Sequence, residues 1–307
     1  MATVANHVGA PAPTRGRSKG LSEKALARLM VSPSMILIAL VAVWPVIYAI
    51  WLSLHQYSVR VAGLSRWVGV DNYWTSGLSN PDWRSALYHT LIFTVISVSL
   101  EVVIGLGMAL AMHRAFRGQG LLRTVVLVPW AVLTVVTAVM WRTIFVSPYG
   151  FVNTVLGTHT VWLGQEPYAL IIIILADVWK TSPFIALLLL AGLQIIPDDI
   201  YEAAKVDGAT AWQRFVRITM PLLKPALLVA LIFRTLDALR IFDLPYVLTQ
   251  GTVGTSTLST ISQQTFATNR LYGEGSAQAI LAFIIVMAVS FAYIRFIGGN
   301  IRGMTAE

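Results

Sequence analysis

The chain alternates between long apolar runs and shorter polar intervals. Six runs stand out, at about Pro33–Leu54, Leu87–Met112, Val125–Val146, Tyr168–Leu193, Leu222–Phe242 and Ala277–Ile297. Each is close to the ~20 residues that carry a helix across ~30 Å of hydrocarbon. The pattern predicts an all-α polytopic membrane protein with six transmembrane helices. Residues 1–20 are rich in Ala, Pro, Gly and Arg and predict a disordered tail. Leu21–Met30 reads in two ways. It is a short amphipathic helix, with Leu21, Ala25 and Leu29 on one side and Lys24 and Arg28 toward headgroups, or it is a solvated basic tail. No signal peptide is expected, because the first run starts late, is long and lacks a small-residue cleavage site.

Composition agrees. The 307 residues are 56% hydrophobic and 12% charged, with a mean hydropathy of +0.71, whereas soluble domains carry about 25% charged residues. There is no cysteine, so disulfides and thiolate metal sites are excluded.

The net charge of +8 reads as membrane orientation rather than nucleic-acid binding. Arg15, Arg17, Lys19, Lys24 and Arg28 precede the first run, and Arg114, Arg117 and Arg123 follow the second. Lys205, Arg214, Arg217 and Lys224 follow the fourth, and Arg295 and Arg302 close the chain. The alternate loops hold only Arg60, Arg66, Arg84 and Arg270. Fourteen against four predicts that the first set is cytoplasmic, with both termini inside. The expected division is a cytoplasmic tail over 1–30, a six-helix transmembrane domain over 31–300 and a C-terminal tail over 301–307.

The longest polar interval of the second half runs over 197–221. Pro197, then Asp198 and Asp199, predict a helix start, with Asp198 as its cap. Gly208 predicts the stop. Ala203 and Ala204 leave one side thin. Glu202-Ala203-Ala204, Gly208, Ile218 and Met220-Pro221 together resemble the EAA loop of ABC importer membrane subunits, with Met-Pro for the usual Leu-Pro. The bland alternative is an amphipathic connector, which six apolar spans weigh against.

That resemblance implies a type I ABC importer permease fold in the cell membrane. It implies a coupling helix carried by Asp199, Tyr201, Glu202, Ala203, Ala204, Asp207 and Gly208. The implied partners are a second homologous permease subunit, two ATPase subunits and an extracytoplasmic sugar-binding lipoprotein, with membrane lipid around them. ATP and Mg would sit on the ATPase subunits, with no cofactor on this chain, which has no phosphate loop of its own. Gly69-Val70-Asp71-Asn72-Tyr73 fits the family's G-x-x-N-Y pattern. The loops over 55–86, 147–166 (which has no Lys or Arg) and 244–276 would dock the binding protein, or are simply packed loops.

Charge inside the apolar runs is costly and marks function by default. Asp177 and Lys180 lie three apart. Arg234, Asp237, Arg240 and Asp243 repeat at the same spacing and predict a charged stripe of alternating sign up one helix face. Glu101 and Arg142 are further candidates. Pro183, after Trp179-Lys180-Thr181-Ser182, predicts a broken helix at membrane depth. Ion pairing between helices is the reading for Arg234, and a polar cavity that for Asp237 and Arg240. Two other classes use the same residues. An intramembrane enzyme would need an unpaired carboxylate at Asp177 or Asp237, yet each acid has a basic neighbour at i+3. A proton-coupled transporter would relay through Asp237 and Arg240 but has no need of the 197–221 loop. His55, His89, His113 and His159 are scattered without metal spacing.

The run Ala191-Gly192-Leu193-Gln194-Ile195-Ile196-Pro197-Asp198-Asp199-Ile200-Tyr201-Glu202-Ala203-Ala204 is similar to carbohydrate importers of the maltose-permease type. That subgroup implies Trp130, Thr134, Asp177, Lys180, Thr181, Phe184, Asp237, Arg240 and Ile241 at sugar-facing positions. Val178-Trp179-Lys180-Thr181 and Phe233-Arg234-Thr235-Leu236-Asp237 also resemble actinobacterial trehalose-type disaccharide permeases. The implied function is ATP-driven uptake of a carbohydrate, a disaccharide such as trehalose. The alternative is another solute of the same importer class, such as glycerol phosphate derivatives or amino sugars.

Overall fold

The structure is a computed structural model that describes residues 22–58, 65–113, 118–252 and 254–304. The expected disordered tail, Leu21, Arg60, Arg114 and Arg117 lie outside the described residues.

The chain divides into two compact units, Met1–Tyr48 and Ala49–Glu307. In the first, Ser22 caps α1 (Glu23–Ile38) by accepting from the Ala25 N–H at 3.3 Å. A π-helical turn over Ala39–Val43 leads into α2 (Trp44–Ser53). Lys24–Ser53 is thus one helix of 30 residues, and no separate amphipathic helix ends at Met30. The reason is local. Pro33 cannot donate to the Leu29 carbonyl one turn back, but Ser32 Oγ donates to it at 3.1 Å, so the helix passes through.

The second unit opens with an antiparallel pair, β1 (His55–Tyr57) and β2 (Ser65–Trp67), with His55 opposite Trp67. Asn72 of the Gly-x-x-Asn-Tyr stretch donates to the Ser53 and His55 carbonyls at 2.8 and 3.0 Å. Tyr73 OH meets Ser53 Oγ at 2.5 Å. These bonds fasten the pair to the end of α2. A π-helical stretch over Tyr73–Leu78 then leads to α3 (Pro81–His113), started by Asn80 Oδ1, which accepts from the Asp82 N–H at 2.8 Å.

The remaining elements are α4 (Gln119–Ala131), α5 (Thr134–Phe145), α6 (Phe151–Leu156), α7 (Tyr168–Gln194), α8 (Asp198–Val206), α9 (Ala211–Arg214), α10 (Met220–Ala238), α11 (Asp243–Thr249), α12 (Leu258–Gln263) and α13 (Tyr272–Met304). Among the described residues five helices are long and apolar enough to cross a membrane. Counted as one broken span, the pair α4 and α5, bent by 88°, is the sixth. The third span is therefore broken, where a single run over Val125–Val146 was expected. Val132 and Leu133 both take extended conformation between the two halves (ψ 136° and 137°).

Conversely, α7 runs unbroken through Pro183, where a break was expected. Proline removes one N–H only. The hydroxyls of Thr181 and Ser182 reach the carbonyls of Asp177 and Val178 at 2.6 Å and hold the same turns.

Helix α7 is the axis of the core. One buried cluster gathers Phe93, Ile173, Ala176, Ala238 and Leu244, and a second gathers Met112, Ile185, Leu189, Leu193 and Leu223. Gly105 lets α3 come close: a Cβ there would lie 2.8 Å from Ile185 Cγ2 and 3.2 Å from the Ala186 nitrogen.

Beyond α7 the chain turns into α8, whose cap position is Pro197, without a side-chain cap bond. Asp198 is the first helical residue rather than the cap. Asp198 and Asp199 still place negative charge in the first turn, where free N–H groups collect. The helix ends at Asp207, and Gly208 takes φ +78°. Ala209 then donates back to the Ala204 carbonyl at 2.9 Å. Thr210 and Gln213 form a capping box that starts α9. A π-helical turn over Phe215–Thr219 joins α9 to α10. Tyr201 OH meets Thr219 Oγ1 at 2.9 Å, which ties α8 to the start of the following span.

Candidate functional site

Three elements meet where two spans are broken. The first break is Val132-Leu133. It frees carbonyls at the C-terminal end of α4, the negative end of that helix. Lys180, buried on α7, answers it: Nζ donates to the Val132 carbonyl at 2.5 Å and to Trp130 O at 3.4 Å. The ammonium is thus engaged by backbone. The expected role at sugar hydroxyls leaves it one remaining proton.

The second break follows α10, which ends at Ala238, four residues before the Phe242 end that the apolar run predicts. Leu239 to Phe242 leave the helix, and α11 starts again at Asp243. Thr257 Oγ1 donates to the exposed Ile241 carbonyl at 3.0 Å. The charged stripe is therefore divided. Arg234 and Asp237 are on α10, Arg240 is in the gap, and Asp243 opens α11. Broken helices are tolerated at membrane depth where they line a cavity.

A cavity of about 310 Å³ lies at this place, within the ~300–1,000 Å³ range of small-molecule sites. Of the expected residues, Trp130, Thr134, Asp177, Lys180, Thr181, Asp237, Arg240 and Ile241 line it. Phe184 does not. It sits behind Trp130 with the rings stacked at 6.0 Å and 17°, so it holds the indole that faces the cavity. Arg234, Phe242, Asp243 and Leu244 complete the wall.

The charges are organised by Arg234 rather than by the i+3 pairs that the spacing suggested. Its side chain is 3% exposed. Arg234 Nε donates to Glu101 Oε2 and Nη2 to Glu101 Oε1, the latter at 2.9 Å. Nη2 also meets Asp177 Oδ2, and Nη1 donates to Asp237 Oδ2 at 2.8 Å. Asp177 thus pairs with Arg234 and not with Lys180. Of the i+3 pairs only Arg234–Asp237 forms, among the described residues. Glu101 is fully buried and also receives Thr181 Oγ1 at 2.8 Å. One guanidinium therefore joins α3, α7 and α10.

Asp237 keeps 70% of its side chain exposed, and Arg240 is exposed too, with Nε donating to the Leu236 carbonyl at 3.2 Å. These two offer free acceptor and donor capacity to a bound molecule. Arg142 lies elsewhere, at 3.5 Å from the Val247 carbonyl.

The sequence pointed to Arg234 as a helix-to-helix tie, and it is one, but it also forms part of the wall. Phe242 and Leu244 were missed, because an apolar residue beside a helix break carries no signal of its own.

Comparison with known proteins places this geometry. The model of the family described as the binding-protein-dependent transport system inner membrane component matches residues 101–303. Over 283 residues the chain is 40% identical to the trehalose transport system permease protein SugA of Mycobacterium tuberculosis, covering 92% of each. Over 279 residues it is 44% identical to the trehalose/maltose transport system permease protein MalF of Thermococcus litoralis, covering 89% of this chain and 94% of that one. Its fold superposes on a crystal structure of a bacterial ABC transporter that imports the acidic polysaccharide alginate. The TM-score is 0.75 at 24% identity, over 89% of this chain and 96% of that one.

Proposed function

Because the chain belongs to the family of binding-protein-dependent transport inner membrane components, we propose that it carries a neutral carbohydrate, a disaccharide such as trehalose, through an ATP-driven importer. The protein is a multi-pass membrane permease subunit with the type I ABC importer fold, and not an enzyme. ATP and Mg are bound by two ATPase subunits, which act on the cytoplasmic side together with a second permease subunit. An extracytoplasmic binding protein delivers the solute. Both termini and α8 face the cytoplasm, and Asp199, Tyr201, Glu202, Ala203, Ala204, Asp207 and Gly208 form the contact to the ATPase.

The observation that carries the choice of solute is the charge balance of the cavity. Its wall holds Asp177, Asp237 and Asp243 against Lys180, Arg234 and Arg240. Balanced charges with free donors and acceptors suit hydroxyl groups, and the half-exposed Trp130 ring, 47% accessible, suits the apolar face of a sugar ring. A glycerol phosphate derivative would need an excess of cations, and an amino sugar an excess of carboxylates. The test is uptake by the whole complex in liposomes, with labelled trehalose, glycerol phosphate and glucosamine in competition. Preferred uptake of either charged solute would overturn the neutral-carbohydrate reading.

A further inference from the structure

We propose that a second polar cavity, at the end of the molecule away from α8, receives a lysine or arginine side chain of the solute-binding protein. This rests on the importer reading above and deepens it.

The cavity has a volume of about 440 Å³. It is built from the first turns of α3, Glu166 just before α7, residues on and around α12, and the first turns of α13. Glu166 lies at that end, and α7 carries the chain through 27 residues, about 40 Å, before α8 begins. The solute cavity lies between them.

Among the described residues, every charged side chain of the lining is acidic. The chain as a whole carries +8, yet this wall holds Asp82, Glu166 and Glu274 and neither lysine nor arginine. Among the described residues, ion pairs are made by Arg234 alone. Neither Arg84 nor Arg270 forms an ion pair with these carboxylates among the described residues.

Gln278 provides the second, independent observation. It lines the cavity and is 2% exposed. Its Nε2 donates to the Ser76 carbonyl at 2.8 Å. A carbonyl only accepts, so the amide orientation is fixed and Oε1 is the atom left over. Gln278 Oε1 is buried and has no donor. The same Ser76 gives its hydroxyl to Glu274 Oε2 at 2.8 Å. One serine thus sets both Gln278 and Glu274 in place, and Gln278 lacks the donor that a buried acceptor requires. His89 Nδ1, also lining the cavity, is buried without a partner.

A guanidinium or ammonium group answers this wall. It brings several N–H donors and a positive charge in one group, and charge-assisted bonds to carboxylates are the strong kind. A metal ion fits less well, because no three His, Asp or Glu residues converge as ligands among the described residues. Charge pairs of this kind steer an approaching partner and fix its register.

The test uses the complete complex in liposomes, titrated with its solute-loaded binding protein at low and at higher salt. The readout is the binding-protein concentration that half-saturates ATPase stimulation. In the double variant Glu166→Gln, Glu274→Gln that concentration rises about tenfold, its salt dependence flattens, and stimulation at saturation equals wild type. Gln at 274 still accepts from Ser76, so the packing is kept. Glu166 is exposed, so Glu166→Gln alone reports a rise of about threefold even if the double variant fails to assemble. An unchanged half-saturating concentration overturns the proposal, and so does a lower maximum at unchanged half-saturation. Absence of any stimulation of the wild-type complex would instead bring down the importer reading, and this inference with it.

Discussion

Glu101 and Arg234 lie 133 residues apart in the chain and meet in a two-point ion pair between α3 and α10, with Glu101 fully buried and Arg234 3% exposed. The pair is the hinge of the charged cluster, because the same guanidinium also holds Asp177 and Asp237.

Removing Arg234 should leave the Glu101 and Asp177 carboxylates buried without their cation, at about 3–5 kcal/mol. Arg234→Ala should therefore fail to accumulate in the membrane or melt at lower temperature in detergent, while Glu101→Ala, in which the guanidinium keeps Asp177 and Asp237, should lose less. Glu101→Leu with Arg234→Met and Asp177→Leu should recover much of the stability, because matched apolar replacement of a whole buried ion cluster is often neutral, while transport stays lost. Thermal denaturation of the purified complex measures this. Normal stability of Arg234→Ala would show that the cluster holds nothing.

Asp237 and Arg240 present their polar groups to the cavity and are exposed, so replacing them should spare assembly. Asp237→Ala or Arg240→Ala should abolish uptake at low solute, with the half-saturating solute concentration raised about 10- to 100-fold for a lost charged hydrogen bond of about 1.5–3 kcal/mol. Kinetics of uptake in proteoliposomes at constant complex content decide it. Normal transport in either variant would assign that residue a structural role.

Trp130 stacks on Phe184 and lines the cavity. Trp130→Ala should weaken solute binding and Trp130→Phe should recover part of it, since aromatic pairs contribute about 0.5–1.5 kcal/mol beyond buried area. Equal uptake by both variants would show that stacking on the indole is not used.

Gly208 has φ +78° and nothing within 4 Å of a Cβ placed on it. The constraint there is backbone conformation alone. Gly208→Asn should keep coupling, because asparagine tolerates positive φ, while Gly208→Val should keep the protein in the membrane and lose solute-stimulated ATP hydrolysis. Glu202→Lys, on the exposed face of α8, should weaken co-purification of the ATPase subunit. Wild-type stimulation in both Gly208→Val and Glu202→Lys would show that α8 is not the coupling element.

The chain has no cysteine, so single cysteines can report topology cleanly. Labels at 70, 155 and 252 should react from outside and those at 118 and 210 from inside. An outside signal at 210 would contradict contact between α8 and a cytoplasmic ATPase.

Span number, span positions and the α8 turn were legible from the sequence, because each depends on local rules. A run of about 20 apolar residues has few alternatives to a membrane helix. Asp198 and Asp199 before Ala203 and Ala204, with Gly208 behind, carry helix start and stop within one short segment. What only the tertiary structure decided was which polar group satisfies which. The spacing put Asp177 beside Lys180, but Lys180 reaches across to the carbonyls freed at Val132, and Asp177 turns to Arg234. The break came at Val132-Leu133, which carries no glycine or proline, and not at Pro183, where Thr181 and Ser182 hold the helix. Away from water every charge and carbonyl takes the best partner that packing brings near. Those partners belong to other helices, so no local pattern in the chain could name them.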